Sequence, residues 1–328
     1  MKRAHVVAVI GLEDGPESCA GPGVLVALGS RGAKRVAVVC RRGESGAFRP
    51  EIAEAFACVG DPRDDDDAFR ARLLEVVHEH VIDSVIAGNA HVARGLARHA
   101  RELERVGVRM LGSDAKALVR LSEHGLEKLC RSARVSALSS WALPDLALAA
   151  TFLHAPAWPI ALLADDGSRR RAVDTVDAVR APQTMRARGA KRISVLSPAF
   201  RQLVEVCLVV ARDGRLLGAC AVRVLEDDER MRAWIAVTID DPELVALAHK
   251  LALKAKLVGP LTLLVQRFDK GYALLDVQPC FPVWIEAVLR EGPNLVQLAL
   301  AAAFDARTKA AGVVPAGTLL SQTAQDIV

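Results

Sequence analysis

The pair Asp276 and Gln278 has the residue types and the spacing of a cation-binding site. Both residues follow the apolar run at 273–275, which reads as a buried strand. Side chains two residues apart in an extended chain point to the same face, so the carboxylate and the amide project together. Oxygen atoms of this kind are the ligands that Mg²⁺ prefers. The sequence therefore predicts a strand that ends in a cation site, and it leaves open whether that site still works.

Cys280 adds a thiol directly after this pair. A cysteine nucleophile needs a histidine base or a lowered thiol pKa, and no histidine lies near Cys280 in the sequence. The chain has seven cysteines, and none of them forms a CxxC pair or a zinc-spaced cluster. Most of them lie in apolar runs, where a buried thiol behaves as a small hydrophobic side chain. This usage fits a reducing cytoplasm.

Length, composition and charge argue against several classes of protein. The chain has 328 residues, of which 52% are hydrophobic and 25% charged, with a formal net charge of +4. This length allows two or three subdomains with cores of their own. The small net charge, without a basic block that alternates with aromatic residues, argues against nucleic-acid binding. We find no signal peptide and no apolar run of the roughly 18 residues that a membrane span needs, so we predict a cytoplasmic protein.

The first third of the chain alternates apolar runs with amphipathic stretches. Residues 1–112 therefore predict a small α/β domain with a parallel sheet. Within it, the acidic run at 61–67 predicts a solvated loop before a helix, because carboxylates suit a helix N-terminus; a metal-binding acidic cluster is the alternative. A helix with a Ser/Asp cap is predicted over 113–135.

Near residue 158 the sequence pattern changes to one that is typical of strands and turns. Residues 158–179 predict strand, turn and strand, and 204–228 predict a hairpin that turns at Asp213-Gly214. A helix over 241–259, with Asp and Pro at its start and Gly at its end, leads to two further strands, the second of which carries Asp276. Residues 284–304 predict helix that is broken near Gly292-Pro293, and the residues from 305 onward predict a loosely packed tail.

This order of elements resembles the ATP-grasp superfamily, in particular the large subunit of carbamoyl-phosphate synthase and its biotin-carboxylase-like and peptide-ligase relatives. The matching segments include RMLGSDAKALVRLSEHGLEKLCRSARV, WPIALLADDGS, DPELVALAHKLALKAKLVGPLTLLVQ and YALLDVQPCF. The resemblance implies an α/β fold: an N-terminal Rossmann-like pre-ATP-grasp domain at 1–112, a central subdomain with a small β-lid at 113–195, and a C-terminal subdomain at 196–328. ATP lies between the last two, and members of the superfamily activate a carboxylate as an acyl phosphate that an amine then attacks.

The resemblance also assigns the phosphate-binding positions. His124 and Lys128 stand at or near the family's first cation, although a neutral imidazole is a weak substitute and Lys128 fits a solvated helix position better. Leu163 stands where the second cation is expected, and a leucine cannot bond phosphate. Glu205 is the one acid near the segment that reads adenine.

The glycine-rich loop of the family corresponds to residues 167–173. Gly167 and Ser168 are kept, but the later glycines, which allow close approach of the backbone to phosphate, are absent. Arg169, Arg170 and Arg171 stand there instead. We favour solvated arginines in a turn; the alternative is a catalytic or binding role toward phosphate or an acidic partner.

The metal ligands are the best-kept part of the motif set. Gln266, Asp276 and Gln278 match positions that hold Glu or Gln, Glu and Asn in the family, and Cys280 replaces the motif arginine. Asp is one methylene shorter than Glu and Gln one longer than Asn, and Mg²⁺ tolerates little change in geometry. Such a site should bind metal weakly.

Three hypotheses follow for the function. The favoured one is a degenerate, inactive ATP-grasp protein that acts as a scaffold or as a partner of an active ATP-grasp ligase or of a second copy of itself. The second is a divergent carboxylate–amine ligase that uses ATP and Mg²⁺. The third is a small-molecule or peptide-binding module in the former nucleotide cleft. Whether the protein is an enzyme is left open by the sequence.

Overall fold

The structure, a computed structural model, describes residues 4–12, 20–29, 32–41, 51–121, 123–137, 140–142, 158–165, 168–187, 189–196, 202–227, 233–268, 271–290, 292–305 and 307–321. For residues 123, 124, 137, 140–142 and 196 it describes the backbone alone. Within these ranges the chain forms three sheets, each with helices packed on it. No helix in them is long and apolar enough to cross a membrane.

The first sheet is parallel and has the strand order β3-β2-β1-β4-β5. The central strand β1 is fully buried, as a strand covered on both faces must be. The elements are β1 (Val6–Ile10), α1 (Gly21–Gly29), β2 (Lys34–Val39), β3 (Ala55–Cys58), α2 (Asp66–Glu79), β4 (Ser84–Ala87), α3 (Ala90–Arg105) and β5 (Arg109–Met110). The predicted Rossmann-like α/β unit is confirmed.

Two carboxylates of the acidic run before α2 make different contacts: one caps the helix and the other forms buried ion pairs. Asp65 caps α2 and accepts from the Ala68 amide, as predicted for a helix N-terminus. The solvated loop is wrong for Asp61, whose side chain is 1% exposed and pairs with Arg63 at 2.7 Å and with Arg41 at 3.2 Å. Burial alone would raise the pKa of Asp61, but the hydrogen bonds and the charge of Arg63 lower it to about 2.

The second sheet, called the lid sheet here, is antiparallel in the order β7-β10-β8-β9. Its elements are β7 (Ser140–Ala142), β8 (Ile160–Ala164), β9 (Arg169–Ala172), α6 (Thr175–Ala187) and β10 (Ile193–Leu196). The predicted strand through 179 is wrong beyond 172, because Asp174 accepts from the Asp177 amide and begins α6. Ala178 and Met185 then recur at helical spacing and cover Ile160 and Leu162 of the lid sheet.

The third sheet is the largest, with eight strands in the order β17-β13-β12-β11-β14-β15-β6, and β16 beside β12. Its strands are β6 (Ser136–Ala137), β11 (Leu203–Val210), β12 (Leu216–Asp227), β13 (Ala233–Ile239), β14 (Gly259–Phe268), β15 (Gly271–Gln278), β16 (Gly312–Val313) and β17 (Leu319–Ser321). The helices α4 (Ala115–Leu118), α5 (Glu123–Ala133), α7 (Pro242–Ala255) and α8 (Leu295–Phe304) belong to this part of the chain. Helices α5 and α7 cover one face, and α1 and α8 cover part of the other.

The predicted helix over 113–135 is interrupted. A 3-10 turn at Val119–Leu121 separates α4 from α5. A Cβ atom at Gly125 would lie 2.5 Å from the Arg120 carbonyl oxygen, so the first turn of α5 depends on this glycine to approach the preceding turn.

The predicted loose tail is also wrong as far as residue 321. Strand β16 pairs in parallel with β12, and β17 pairs in antiparallel with β13. Val314 and Leu320 are 1% and 3% exposed, so apolar burial fixes this segment to the large sheet.

Candidate nucleotide cleft

The lid sheet and the large sheet meet through a small apolar cluster. Ala161 and Leu163 are its members on β8. From the large sheet come Leu203 of β11, Leu264 of β14 and Leu275 of β15, with Val224 of β12 at the margin. Contacts of this kind between buried side chains are close-packed and exclude water. We call these side chains the interface cluster.

The alternation of side chains on β8 explains which residues join this cluster. Ile160 and Leu162 point to α6, and Ala161 and Leu163 point to the large sheet. In the pairing of β8 with β9, Leu163 stands opposite Arg169 and Ala161 opposite Arg171. Arg169 and Arg171 therefore share the face of the lid sheet that meets the large sheet, and Arg170 lies on the other face.

A β-bulge turns Asp276 toward this interface. The register of β14 with β15 shifts so that Leu264 stands opposite Asp276 and Val265 opposite Leu274. Without the shift, neighbouring residues 275 and 276 would point to opposite faces of the sheet. Leu275 faces the lid sheet and Val277 faces α5 and α7, so the extra residue re-aims the carboxylate.

Arg169 lies between two carboxylates of the large sheet. Its Nε is 3.6 Å from Asp276 Oδ2, and its Nη1 is 3.9 Å from Glu205 Oε1. The Arg169 side chain is 6% exposed, and those of Glu205 and Asp276 are 3% and 16% exposed. The three groups form a buried ionic cluster in which one guanidinium faces two carboxylates.

The carboxylates of this cluster are also held by neutral donors. Trp284, in the 3-10 helix Val283–Glu286, donates from Nε1 to Glu205 Oε2 at 2.6 Å. Gln278 Nε2 donates to Asp276 Oδ2 at 3.2 Å, and the Val277 amide donates to Asp276 Oδ1 at 2.8 Å. Each carboxylate is therefore oriented by a fixed donor, and each also faces Arg169.

A second ion pair fixes the same strand of the lid sheet. Arg171 pairs through Nη2 with Asp227 Oδ1 at the end of β12, and the two side chains are 24% and 14% exposed. Arg170 is 9% exposed on the far side of β9. The prediction of a solvated turn is wrong for these residues, since 169–172 is a strand with Arg169 and Arg170 buried.

Of the other predicted phosphate-site residues, Lys128 lies away from this cluster. Lys128 is exposed on α5, and α5 packs through Leu129 and Cys130 on the face of the large sheet opposite to Glu205. Ser168 lies just before β9, and its carbonyl accepts from the Ala164 amide at 2.9 Å. Gly167 and the side chain of His124 lie outside the described residues, as does the segment 197–201 that precedes β11.

The predicted metal ligands lie on the same face of β14 and β15. Gln278 contacts Asp276, whereas Gln266 is 2% exposed and stands opposite Ala273. The cross-strand partner of Asp276 is Leu264, which brings no ligand atom. Cys280 is 3% exposed, and its carbonyl accepts from Thr262 Oγ1 at 2.8 Å.

Asp276, the one carboxylate among the predicted Mg²⁺ ligands, pairs with the guanidinium of Arg169. Among the residues that the structure describes, no group of three or more His, Cys, Asp and Glu side chains is arranged to hold a metal ion. The two carboxylates nearest to such a site face a buried guanidinium. Leu163, at the position of the second phosphate cation, packs in the interface cluster.

Glu205 and Arg169 were both predicted as site residues, but the contact between them was not predicted, nor was the contact of Trp284 with Glu205. Side chains alternate between the two faces of a strand, so a strand at 169–171 would place Arg169 and Arg171 on one face. This alternation was the available signal. The bulge in β15 had no comparable signal, because it shows only in the pairing with β14.

Comparison with known proteins identifies the fold. No family model matches the sequence, and no curated protein is significantly similar to it. Several solved structures are similar throughout most of the chain. The biotin carboxylase domain of the 2-oxoglutarate carboxylase of Hydrogenobacter thermophilus, a dimer in complex with MgADP, ADP and bicarbonate, has 15% identity and a TM-score of 0.67 over 96% of this chain and 73% of that one.

Two further structures come from different enzymes. The L-amino acid ligase of Bacillus licheniformis has 13% identity and a TM-score of 0.65, and the match covers 92% of this chain and 75% of the ligase. The biotin carboxylase of Campylobacter jejuni, in a β,γ-ATP complex, has 14% identity and a TM-score of 0.64 over 90% and 70% of the two chains. At these identities the likeness establishes the fold alone: this chain has the ATP-grasp fold.

Proposed function

We propose that this chain is a catalytically degenerate ATP-grasp protein that acts as a scaffold or partner subunit of an active ATP-grasp ligase. The observation that carries this proposal is the interface cluster. Leu163 of the lid sheet packs against the large sheet between the two parts of the fold that, by the resemblance, enclose ATP. A nucleotide at this position requires that the cluster open.

The energetic terms all disfavour nucleotide. Opening the cluster exposes leucine side chains, each of which contributes about 1.5–3 kcal/mol when fully buried. Each charge-assisted phosphate contact that is missing, such as that at Leu163, forfeits about 1.5–3 kcal/mol. Two or three such losses amount to roughly 5 kcal/mol, or three to four decades of affinity at about 1.4 kcal/mol per decade. A micromolar nucleotide site becomes millimolar or weaker.

The scaffold role draws support from the outer strands of the large sheet. Three large apolar side chains are exposed there: Leu225 on β12 at 49%, Trp234 on β13 at 37% and Leu319 on β17 at 65%. The three strands are neighbours in the sheet, and exposed apolar side chains that form a contiguous patch are typical of protein interaction surfaces. The apolar core is kept although Leu163 stands where a phosphate-binding cation is expected. A protein that acts through its surface needs the folded core and not the phosphate-binding residues.

The divergent ligase is the second candidate, and one observation favours it. Glu205, Asp276 and Gln278 are gathered at the interface between the lid sheet and the large sheet. If Arg169 moved away, these oxygen atoms would offer a partial Mg²⁺ site. This candidate requires ATP turnover with some acid and amine, and loss of that turnover in Asp276→Ala.

Thermal unfolding separates the two candidates. A nucleotide that binds the folded chain raises its free energy of unfolding by RT ln(1 + [L]/Kd). We expect millimolar ATP with Mg²⁺ to leave the Tm unchanged, and we expect no phosphate release with mixtures of carboxylic acids and amines. A clear rise in Tm together with phosphate release that is lost in Asp276→Ala would establish the ligase instead.

The partner role has a test of its own. The purified chain is added to each active ATP-grasp ligase of the same organism, and the ligase kcat and the sedimentation of the mixture are measured. We expect one ligase to form a stable complex whose stability or kcat changes. The partner role is contradicted if every ligase sediments and turns over as it does alone.

A further inference from the structure

Strand β9 supplies the charges that join the lid sheet to the large sheet. Arg169 reaches Asp276 and Glu205, and Arg171 pairs with Asp227. The two arginines lie on the same face of the strand, two residues apart. Their partners lie on three strands of the large sheet: β11, β12 and β15.

We propose that β9 is a latch in which the guanidinium of Arg169 takes the place of a bound cation and holds the lid sheet closed without nucleotide. This goes beyond the proposed function, because a chain that binds no nucleotide can still have a lid that opens freely. The latch assigns a closed resting state to this protein and names the residue that maintains it.

The charge balance favours Arg169 as the group that keeps the sheets together. Two buried carboxylates that face one interface repel each other unless a cation lies between them. The planar guanidinium suits this position, since it is always charged and less strongly hydrated than an ammonium group. The lid sheet therefore carries its own counter-ion for the acidic side of the cleft.

The distances indicate an electrostatic latch and not a rigid hydrogen-bonded one. Separations of 3.6 and 3.9 Å are ion-pair distances, longer than the usual 2.7–2.9 Å of a charge-assisted hydrogen bond. Nη1 of Arg169 is buried and has no hydrogen-bond acceptor among the described residues. A buried donor in this state costs free energy, and the apolar packing of the interface cluster offsets that cost.

Thiol labelling at a position under the lid sheet tests the latch. Leu264 and Leu263 are neighbours on β14, and each is 1% exposed. Leu264 packs in the interface cluster, whereas Leu263 packs under α5 and α7. Leu264→Cys therefore reports opening of the lid sheet, and Leu263→Cys is the matched control for general unfolding. Labelling by iodoacetamide is read at each site by peptide mass spectrometry, which separates these thiols from the native cysteines.

Arg169→Met is combined with each reporter, and Arg180→Met, on the exposed side of α6, is the control for removal of an arginine from the same unit. We expect Arg169→Met to raise the labelling rate of Cys at 264 by at least about tenfold, the factor that corresponds to ~1.4 kcal/mol of lost contact. In the Arg169→Met background the thiol at 264 should label at least about tenfold faster than the thiol at 263, because the lid sheet opens more readily than the whole chain unfolds. Arg180→Met should leave both rates as they are.

The latch is overturned if the thiol at 264 labels in Arg169→Met as slowly as with Arg169 present. It is equally overturned if the thiols at 263 and 264 label at the same rate in Arg169→Met, since the whole chain then unfolds and the lid sheet does not open separately. If Arg169→Met does not fold, Arg171→Met keeps the test decisive. That change removes the pair with Asp227, keeps Arg169 beside Glu205 and Asp276, and should raise the labelling rate at 264 above the rate at 263. No nucleotide enters this experiment, so its failure leaves the proposed function standing.

Discussion

The ionic cluster around Arg169 predicts an asymmetry between two single substitutions. The cluster holds one guanidinium and two carboxylates, all less than one-fifth exposed. Arg169→Met removes the guanidinium that both Glu205 and Asp276 face. Asp276→Asn instead leaves Arg169 and Glu205 as a balanced pair, and an Asn side chain can still accept from Gln278. The arginine substitution should therefore be the more damaging one.

The magnitudes follow from the distances. At an effective dielectric constant of about 20, charges separated by 3.6 or 3.9 Å attract each other by roughly 4–5 kcal/mol before desolvation is counted. Removal of one partner from a buried pair costs about 3–5 kcal/mol in practice. We expect Arg169→Met to lower the free energy of unfolding by about 3–5 kcal/mol, and Asp276→Asn by about 1–2 kcal/mol, the cost of one hydrogen-bonded contact.

Urea unfolding at neutral pH, followed by tryptophan fluorescence and by circular dichroism, measures both changes. Coincident transitions with the two probes are needed before the midpoints are converted into free energies. The double variant should be less destabilised than the sum of the single variants, because the two sites share a contact. The reasoning about charge balance is refuted if Asp276→Asn costs as much as Arg169→Met or more.

Three further predictions rest on other sites. Asp61→Asn should lower the free energy of unfolding by about 2 kcal/mol at pH 7, since the pKa of Asp61 falls from 3.8 to about 2 in the folded state at about 1.4 kcal/mol per unit. That stability is present above pH 3.8 and is lost as the pH falls toward 2, so urea midpoints of the wild type and the variant should converge in acid; a gap that persists at pH 2 contradicts the assignment. Tyr272 is the one tyrosine of the chain, and burial, with the hydrogen bond to Asp241, raises its pKa to about 12, so absorbance at 295 nm should titrate near 12 in the folded protein and near 10 in urea; a folded-state midpoint at 10 rules out the buried contact. Leu163→Lys should destabilise the chain by burying a charge in the interface cluster without creating nucleotide affinity, and a Tm that rises with ATP in this variant would show that one cation is enough.

The sequence predicted the architecture where local patterns and global packing agree. The alternation of strands and helices in 1–112, the turn at Asp213-Gly214 and the strand of Asp276 are all found in the structure. Each has a local physical cause: an apolar period, a turn residue that accepts positive φ, or a helix cap. Gly214 has a φ of 87°, which explains why glycine marks the hairpin.

The errors arise where long-range contacts decide. The segments of β16 and β17 are too short to be strands by themselves. Strand β16 pairs where β12 extends beyond the end of β13, and β17 pairs with the free edge of β13. Residues 175–187 include Pro182, and the helix forms there because Ala178 and Met185 cover the lid sheet.

The same reason limits what could be predicted of the candidate site. Arginine side chains are ordinarily solvated. The burial of Arg169 depends on carboxylates that lie 36 and 107 residues away in the chain. The acid–amide pair Asp276 and Gln278 was predicted correctly to project together, and they contact each other at 3.2 Å. What the pair faces, an arginine of the lid sheet, could not be read from that strand.

Isothermal titration of the wild-type chain with ATP and Mg²⁺, and separately with AMP, tests the central claim most directly. AMP isolates the adenine and ribose contacts, and ATP adds the phosphates and the metal ion. The packed interface cluster, Leu163 and the buried Arg169 predict no binding tighter than about 100 μM, or about −5.5 kcal/mol, for either ligand. A low-micromolar Kd for ATP with Mg²⁺ would contradict the account of a cleft closed to nucleotide.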